Sequence, residues 1–190
     1  MGRFDRVVCA CAAFVLTGAL APVAVAKPPP TPAAQARAVV PLSILHHVAQ
    51  RELSLGLLAQ VAAVRPQTMR FATELETDFR LLDRRILAIA GALSIDEDQL
   101  QQAYAERNTT ALANQADDLD HLSVLRGEDF DRQFWVTVAR DHRAASELLA
   151  SPARTVPSLD TLVDETARLI KRSMRNAAAA QAATNAPRPH

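Results

Sequence analysis

Apolar residues recur every three to four positions along four stretches of this 190-residue chain, and those stretches set its architecture. Leu42, Leu45, Val48, Leu55, Leu58 and Val61 keep helical spacing and predict helix one over about residues 41–64. Pro41 suits its first turn, and Pro66 discourages helix in the residue before it. Phe71, Leu75, Phe79, Leu82, Ile86 and Ile89 draw the apolar stripe of helix two, about 67–91, with Gly91 placed where helices stop. Helix three is predicted over about 129–150. Helix four follows over about 158–180, with Ser158 as its N-cap. Lys171, Arg172 and Arg175 crowd its later turns, where the helix dipole favours cations. Neither strand-like alternation nor a glycine-bearing hairpin turn is found.

The connections choose the topology. Helices one and two are tightly joined, as are three and four, so each pair is expected to run antiparallel. Residues 92–127 form a long link. Within it, the Ser-x-x-Glu run at 94–97 has the form of a capping box and predicts a short helix to about residue 107. "NTTALAN" interrupts it, and "ADDLDHLSVLRG" predicts another short helix ending at Gly127. The expected fold class is therefore all-α: a ferritin-like four-helix bundle with a long helical crossover between helices two and three.

The ends read differently. Residues 1–26 combine Arg3 and Arg6, an apolar run and a small-x-small site at 24–26, the layout of a signal peptide cleaved after Ala26. Residues 27–40 read as a Pro/Ala-rich linker, 41–180 as the helical bundle domain and 181–190 as a disordered tail. The expected location is periplasmic or secreted, with no membrane span after cleavage.

Charge and cysteine narrow the chemistry. The chain has 21 basic and 21 acidic residues and no basic stripe, so no nucleic-acid partner is expected. Both cysteines, Cys9 and Cys11, fall in the leader, which leaves the rest without thiol catalysis, disulfides or cysteine-based zinc. Phosphate-loop and nucleophile-elbow motifs are missing too.

The run "LDHLSVLRGEDFDRQFWVTVARDH" resembles the domain of unknown function 4142 family, an exported bacterial helical group. Leu119, Leu122, Ser123, Leu125, Gly127, Phe130, Asp131, Asp141 and His142 carry the likeness, with Glu52, Leu55, Gly56 and Leu58 in helix one. Pro66, Phe71, Thr77 and Asp78 extend it into helix two, and it spans roughly residues 43–177. The resemblance implies a ferritin-like fold and no established activity. It also implies two further imidazoles, at positions that here hold Phe79 and Ser173.

One metal constellation deserves weighing. Glu52, Asp78, Asp141 and His142 are the candidate ligands of a weak mononuclear site. No Glu-x-x-His pair of the di-iron type occurs, and an oxygen-rich set with one imidazole suits only a weakly held divalent ion. The competing reading, preferred here, is that His142 is a buried imidazole hydrogen-bonded to Asp141, Asp78 or Glu52. His46 and His47 diverge around their helix and are expected to be solvated, with one of them partly buried. Asp117, Asp118 and Asp120, beside His121, lack calcium-loop spacing and are read as acids at a helix N-terminus. No cofactor and no enzymatic activity are expected. The leading function is a non-catalytic interaction or structural module that engages an envelope or protein partner, with Trp135, if exposed, as the first contact candidate. The alternative is a metal-binding or stress-related ferritin-like protein.

Overall fold

The computed structural model describes residues 30–150 and 157–185. The expected leader, 1–26, lies outside them, as do residues 186–190 of the expected tail. The described residues form six helices and no strand: α1 (Pro32–Ala62), α2 (Pro66–Ala92), α3 (Glu97–Ala105), α4 (Thr109–Val124), α5 (Gly127–Ala150) and α6 (Pro157–Asn185). The chain is all-α, as its periodicity predicts.

Boundaries differ from expectation for local reasons. α1 begins at Pro32, so the expected linker is helical from residue 32 onward. Thr31 caps it by accepting from the Ala34 amide, Pro32 occupies the first turn, and an alanine-rich run follows. Pro41 lies inside this helix, where it forfeits one backbone hydrogen bond but is buried. α6 likewise continues through 181–185, residues expected to belong to the tail. α2 does not end at Gly91. The left-handed residue is Ser94, at φ 55°, and the amides of Ser94 and Ile95 return to the carbonyls of Gly91 and Ala90. The capping box of α3 is Asp96 with Gln99, not Ser94 with Glu97. Gly127, at φ 64°, opens α5 rather than closing a short helix before it, and most of "NTTALAN" is helical as the start of α4.

Cross-helix contacts fix the directions. Between α1 and α2, Gln35 reaches Leu93, His46 reaches Asp83 and Gln60 reaches Glu76, so the two run antiparallel. Asp131 of α5 accepts from the amides of Val64 and Arg65, while His142 meets Glu52, so α5 also opposes α1. Arg85 pairs with Glu165, Asp78 with Arg172 and Glu74 with Asn176, which sets α6 against α2 and along α1. Contacts of α3 and α4 climb α1 in order: Glu97 near His46, Tyr104 on His47, then Gln115 at Arg51.

Burial explains why α1 sits at the centre. Its buried residues include Leu42, Leu45, Val48, Ala49, Leu55 and Ala59, spread beyond a single stripe, because α1 packs on α2, α3, α5 and α6. α2 buries one face: Phe71, Leu75, Phe79, Leu82 and Ile86. Gly56 permits the close approach of α1 to α2, since a Cβ there would stand 2.9 Å from the Ala72 carbonyl oxygen. At one end Phe71, Phe130, Phe134 and Trp135 form an aromatic cluster, with Trp135 4.9 Å from Phe71 between centroids.

Candidate functional site

Two adjacent residues of α1 face two adjacent residues of α5. His142 Nε2 lies 3.1 Å from a Glu52 carboxylate oxygen, with 0% and 1% of the respective side chains exposed. One residue along, Arg51 Nε donates to Asp141 at 2.7 Å, and Arg51 Nη1 donates to the Gln115 carbonyl of α4. Two buried ion pairs thus tie α1 to α5, and a hydrogen bond from Arg51 adds α4. Such pairs repay their desolvation only with good geometry and further hydrogen bonds. Arg51 has both.

The environment sets the charge state of His142. Burial acts to lower its pKa, but the Glu52 carboxylate, by charge and hydrogen bond, outweighs this, with Asp141 adding to it. The net direction is upward. His47 goes the other way. Its burial dominates, the Arg51 charge adds to it, and the hydrogen bond with Gln115 only partly opposes them, so its pKa is lowered.

The four expected metal ligands do not converge. The structure brings Glu52 to His142 and Asp141 to Arg51, but Asp78 is elsewhere. It lies on an open groove between α2 and α6, paired with Arg172. The reason is helical register: Phe79, the next residue, takes the core position and turns Asp78 outward. Among the described residues no three His, Cys, Asp or Glu side chains gather as a metal-binding group. The void beside Arg51 and Asp141 is about 10 Å³, the room of a single water probe. Ser173, like Phe79, is buried.

Other expectations need correction. His46 is buried, not solvated. Its Nδ1 lies 2.7 Å from Asp83, which also accepts from Gln50 at 2.8 Å. His47 is partly buried and stacks on Tyr104 at 3.7 Å between centroids. Asp117, Asp118 and Asp120 are not at a helix N-terminus, because α4 starts at Thr109; Asp118 pairs with Arg140 of α5. Trp135 is only 3% exposed and belongs to the aromatic cluster, so it offers no contact surface. Asp131, noted in the sequence only within a motif, caps the start of α2 from across the bundle, where Arg65 supplies no cap of its own. Arg51 and Gln115 were not foreseen either. The juxtaposition of Arg51-Glu52 with Asp141-His142, opposite charges at adjacent positions of two amphipathic helices, was the available signal.

A cleft opens beside this core on the α1–α3 side. Its volume is about 360 Å³, and Ser43, His46, His47, Gln50, Leu100, Gln101, Tyr104 and Ala105 line it. Burial pushes the Tyr104 phenol up, which keeps it a neutral hydroxyl. None of the described helices is long and apolar enough to cross a membrane.

No curated protein and no solved structure matches the chain significantly. One family model does, over residues 23–181, and with most of its length so covered the chain belongs to the family described as a domain of unknown function (DUF4142).

Proposed function

We propose that the protein is an exported, ferritin-like helical bundle that serves as a non-catalytic interaction or structural module in the periplasm or beyond. The observation that carries the reading is the pairing of its cross-helix charges, two pairs buried and one on the surface. Glu52, Asp141 and Asp78, the carboxylates suited to a metal site, each meet their own cation: His142, Arg51 and Arg172. These side chains are engaged in holding helices together, which leaves no nucleophile–base pair or open ligand set among them. The ferritin-like reading draws support from α2 and α5 both opposing α1, with α3 and α4 climbing α1 between them. Export rests on the leader-like pattern of residues 1–26.

Elemental analysis of protein purified without tag or chelator tests the reading. Metal-free, folded protein and an equally metal-free His142→Ala variant are the expected results. A second reading keeps a weak metal site, favoured by one observation: the buried His142 Nδ1 has no hydrogen-bond partner within the protein. Stoichiometric metal that disappears in His142→Ala would establish it. Sequencing the N-terminus of protein recovered from the periplasmic fraction should begin at Lys27.

A further inference from the structure

The α1–α3 cleft is separate from the Glu52–His142 core pair, and two of the residues that line it carry an unsatisfied polar atom. His46 Nε2 and Tyr104 Oη are buried and have no hydrogen-bond partner within the protein. A buried polar atom left unpaired is costly, so such atoms mark places where something else completes the bond. The Asp83 carboxylate holds His46 Nδ1, which turns Nε2 toward Glu97 of α3. That gap is 3.6 Å, too long for a direct hydrogen bond.

The border of the cleft is acidic. Asp83 and Glu97 stand on either side of His46, Asp83 buried behind it and held by His46 and Gln50, Glu97 half exposed; the lining residues themselves carry neither an acid nor a lysine or arginine. Two carboxylates against one imidazole leave a negative balance around His46 in either of its protonation states, and His47, whose pKa is lowered by burial, adds no positive charge at neutral pH. The remaining wall is largely apolar, formed by Leu100, Ala105 and the Tyr104 ring stacked on His47. At about 360 Å³ the cleft falls within the range of small-molecule sites.

We propose that this cleft binds a small organic ammonium ligand, with its amine head between Glu97 and His46 and its hydrocarbon body along Leu100 and Tyr104. An ammonium carries three donors, enough to engage the carboxylate, the imidazole nitrogen and the phenol oxygen. The aromatic face adds cation–π attraction. An anion would be set beside the Glu97 carboxylate, and a purely apolar ligand would leave the buried polar atoms unpaired. The proposal does not depend on the non-catalytic reading above.

Calorimetric titration of the purified protein with n-hexylammonium, hexanol and hexanoate tests it. Saturable binding of the ammonium is expected, with hexanol weaker by roughly fivefold or more and hexanoate not bound. Glu97→Gln should weaken the ammonium by roughly threefold to fivefold, a modest change because that side chain is half exposed. For the same reason the variant keeps its fold, as circular dichroism would verify. Resonances of Tyr104 and His46 should shift on titration. Absence of saturation at millimolar ammonium, equal binding of hexanol, or an unchanged affinity in Glu97→Gln would each overturn the proposal. So would zinc or magnesium binding at His46 that excludes the amine.

Discussion

The two buried ion pairs should respond differently to loss of their acid, because only one of the cations can discard its charge. In Asp141→Asn, the Arg51 guanidinium is left buried without its countercharge, held only by neutral acceptors such as the Gln115 carbonyl. Removing one member of a buried pair costs about 3–5 kcal/mol, and that range applies in full. In Glu52→Gln, His142 can shed its proton. The residual loss is then that of a buried hydrogen bond, about 1–2 kcal/mol at pH 8–9. The wild-type pH dependence follows from the raised pKa of His142. A folded value above the unfolded one means that the stabilisation is complete below the unfolded pKa, about 6.5. It declines as pH rises through the folded value. The Glu52→Gln penalty should therefore be largest near pH 6 and shrink toward pH 9, whereas the Asp141→Asn penalty should vary less with pH, because Asp141 has the smaller share in raising the His142 pKa. Urea unfolding followed by circular dichroism, at several pH values and with shared slopes, measures both. Equal penalties at pH 9, or a Glu52→Gln penalty that grows with pH, would refute the reasoning.

Further perturbations probe the frame. Gly56→Ala should destabilise by about 1–2 kcal/mol, because its Cβ meets backbone atoms of α2, while Gly91→Ala, which faces open space, should stabilise by up to about 1 kcal/mol; thermal melts of the pair check both signs. Asp131→Ala should cost about 1–2 kcal/mol by uncapping α2, with exchange of the Val64 and Arg65 amides speeding up first. By NMR the His47 imidazole should titrate below the ordinary value and His142 above it. Because the His47 value is depressed on folding, its contribution to stability is present above about pH 6.5 and is lost as pH falls through the folded value; His47→Phe should flatten that acid limb.

The long helices were legible because their apolar stripes repeat with the helical period and a core selects for that repeat. Phe71, Leu75, Phe79, Leu82 and Ile86 are all buried, as the pattern requires. The helix ends were less legible. An alanine-rich run such as 32–40 looks the same as a tether or as a helix until something is known to pack on it, and Ala38 is buried. Ser94 took the left-handed position that Gly91 seemed suited to, because the chain must turn there to seat Ile95 in the core. For the site, Glu52 with His142 was among the pairings foreseen. Asp78 was misplaced although the apolar stripe of helix two already set Phe79 inward, which turns its neighbour about 100° away from the core. Arg51, Asp83 and Gln115 escaped notice, since their partners lie 33 to 90 residues away and sequence spacing carries no mark of that.

The separation of 90 residues between Arg51 and Asp141 bears on the order in which the chain assembles. The α1–α2 hairpin can close first, from neighbouring sequence, while α5 is still to come. During that interval its uncovered face carries Arg51 and Glu52 among the leucines, and water can solvate them. The half-built protein thus displays a charged marker in the middle of its stickiest surface. That marker is covered only when the matching Asp141-His142 segment arrives.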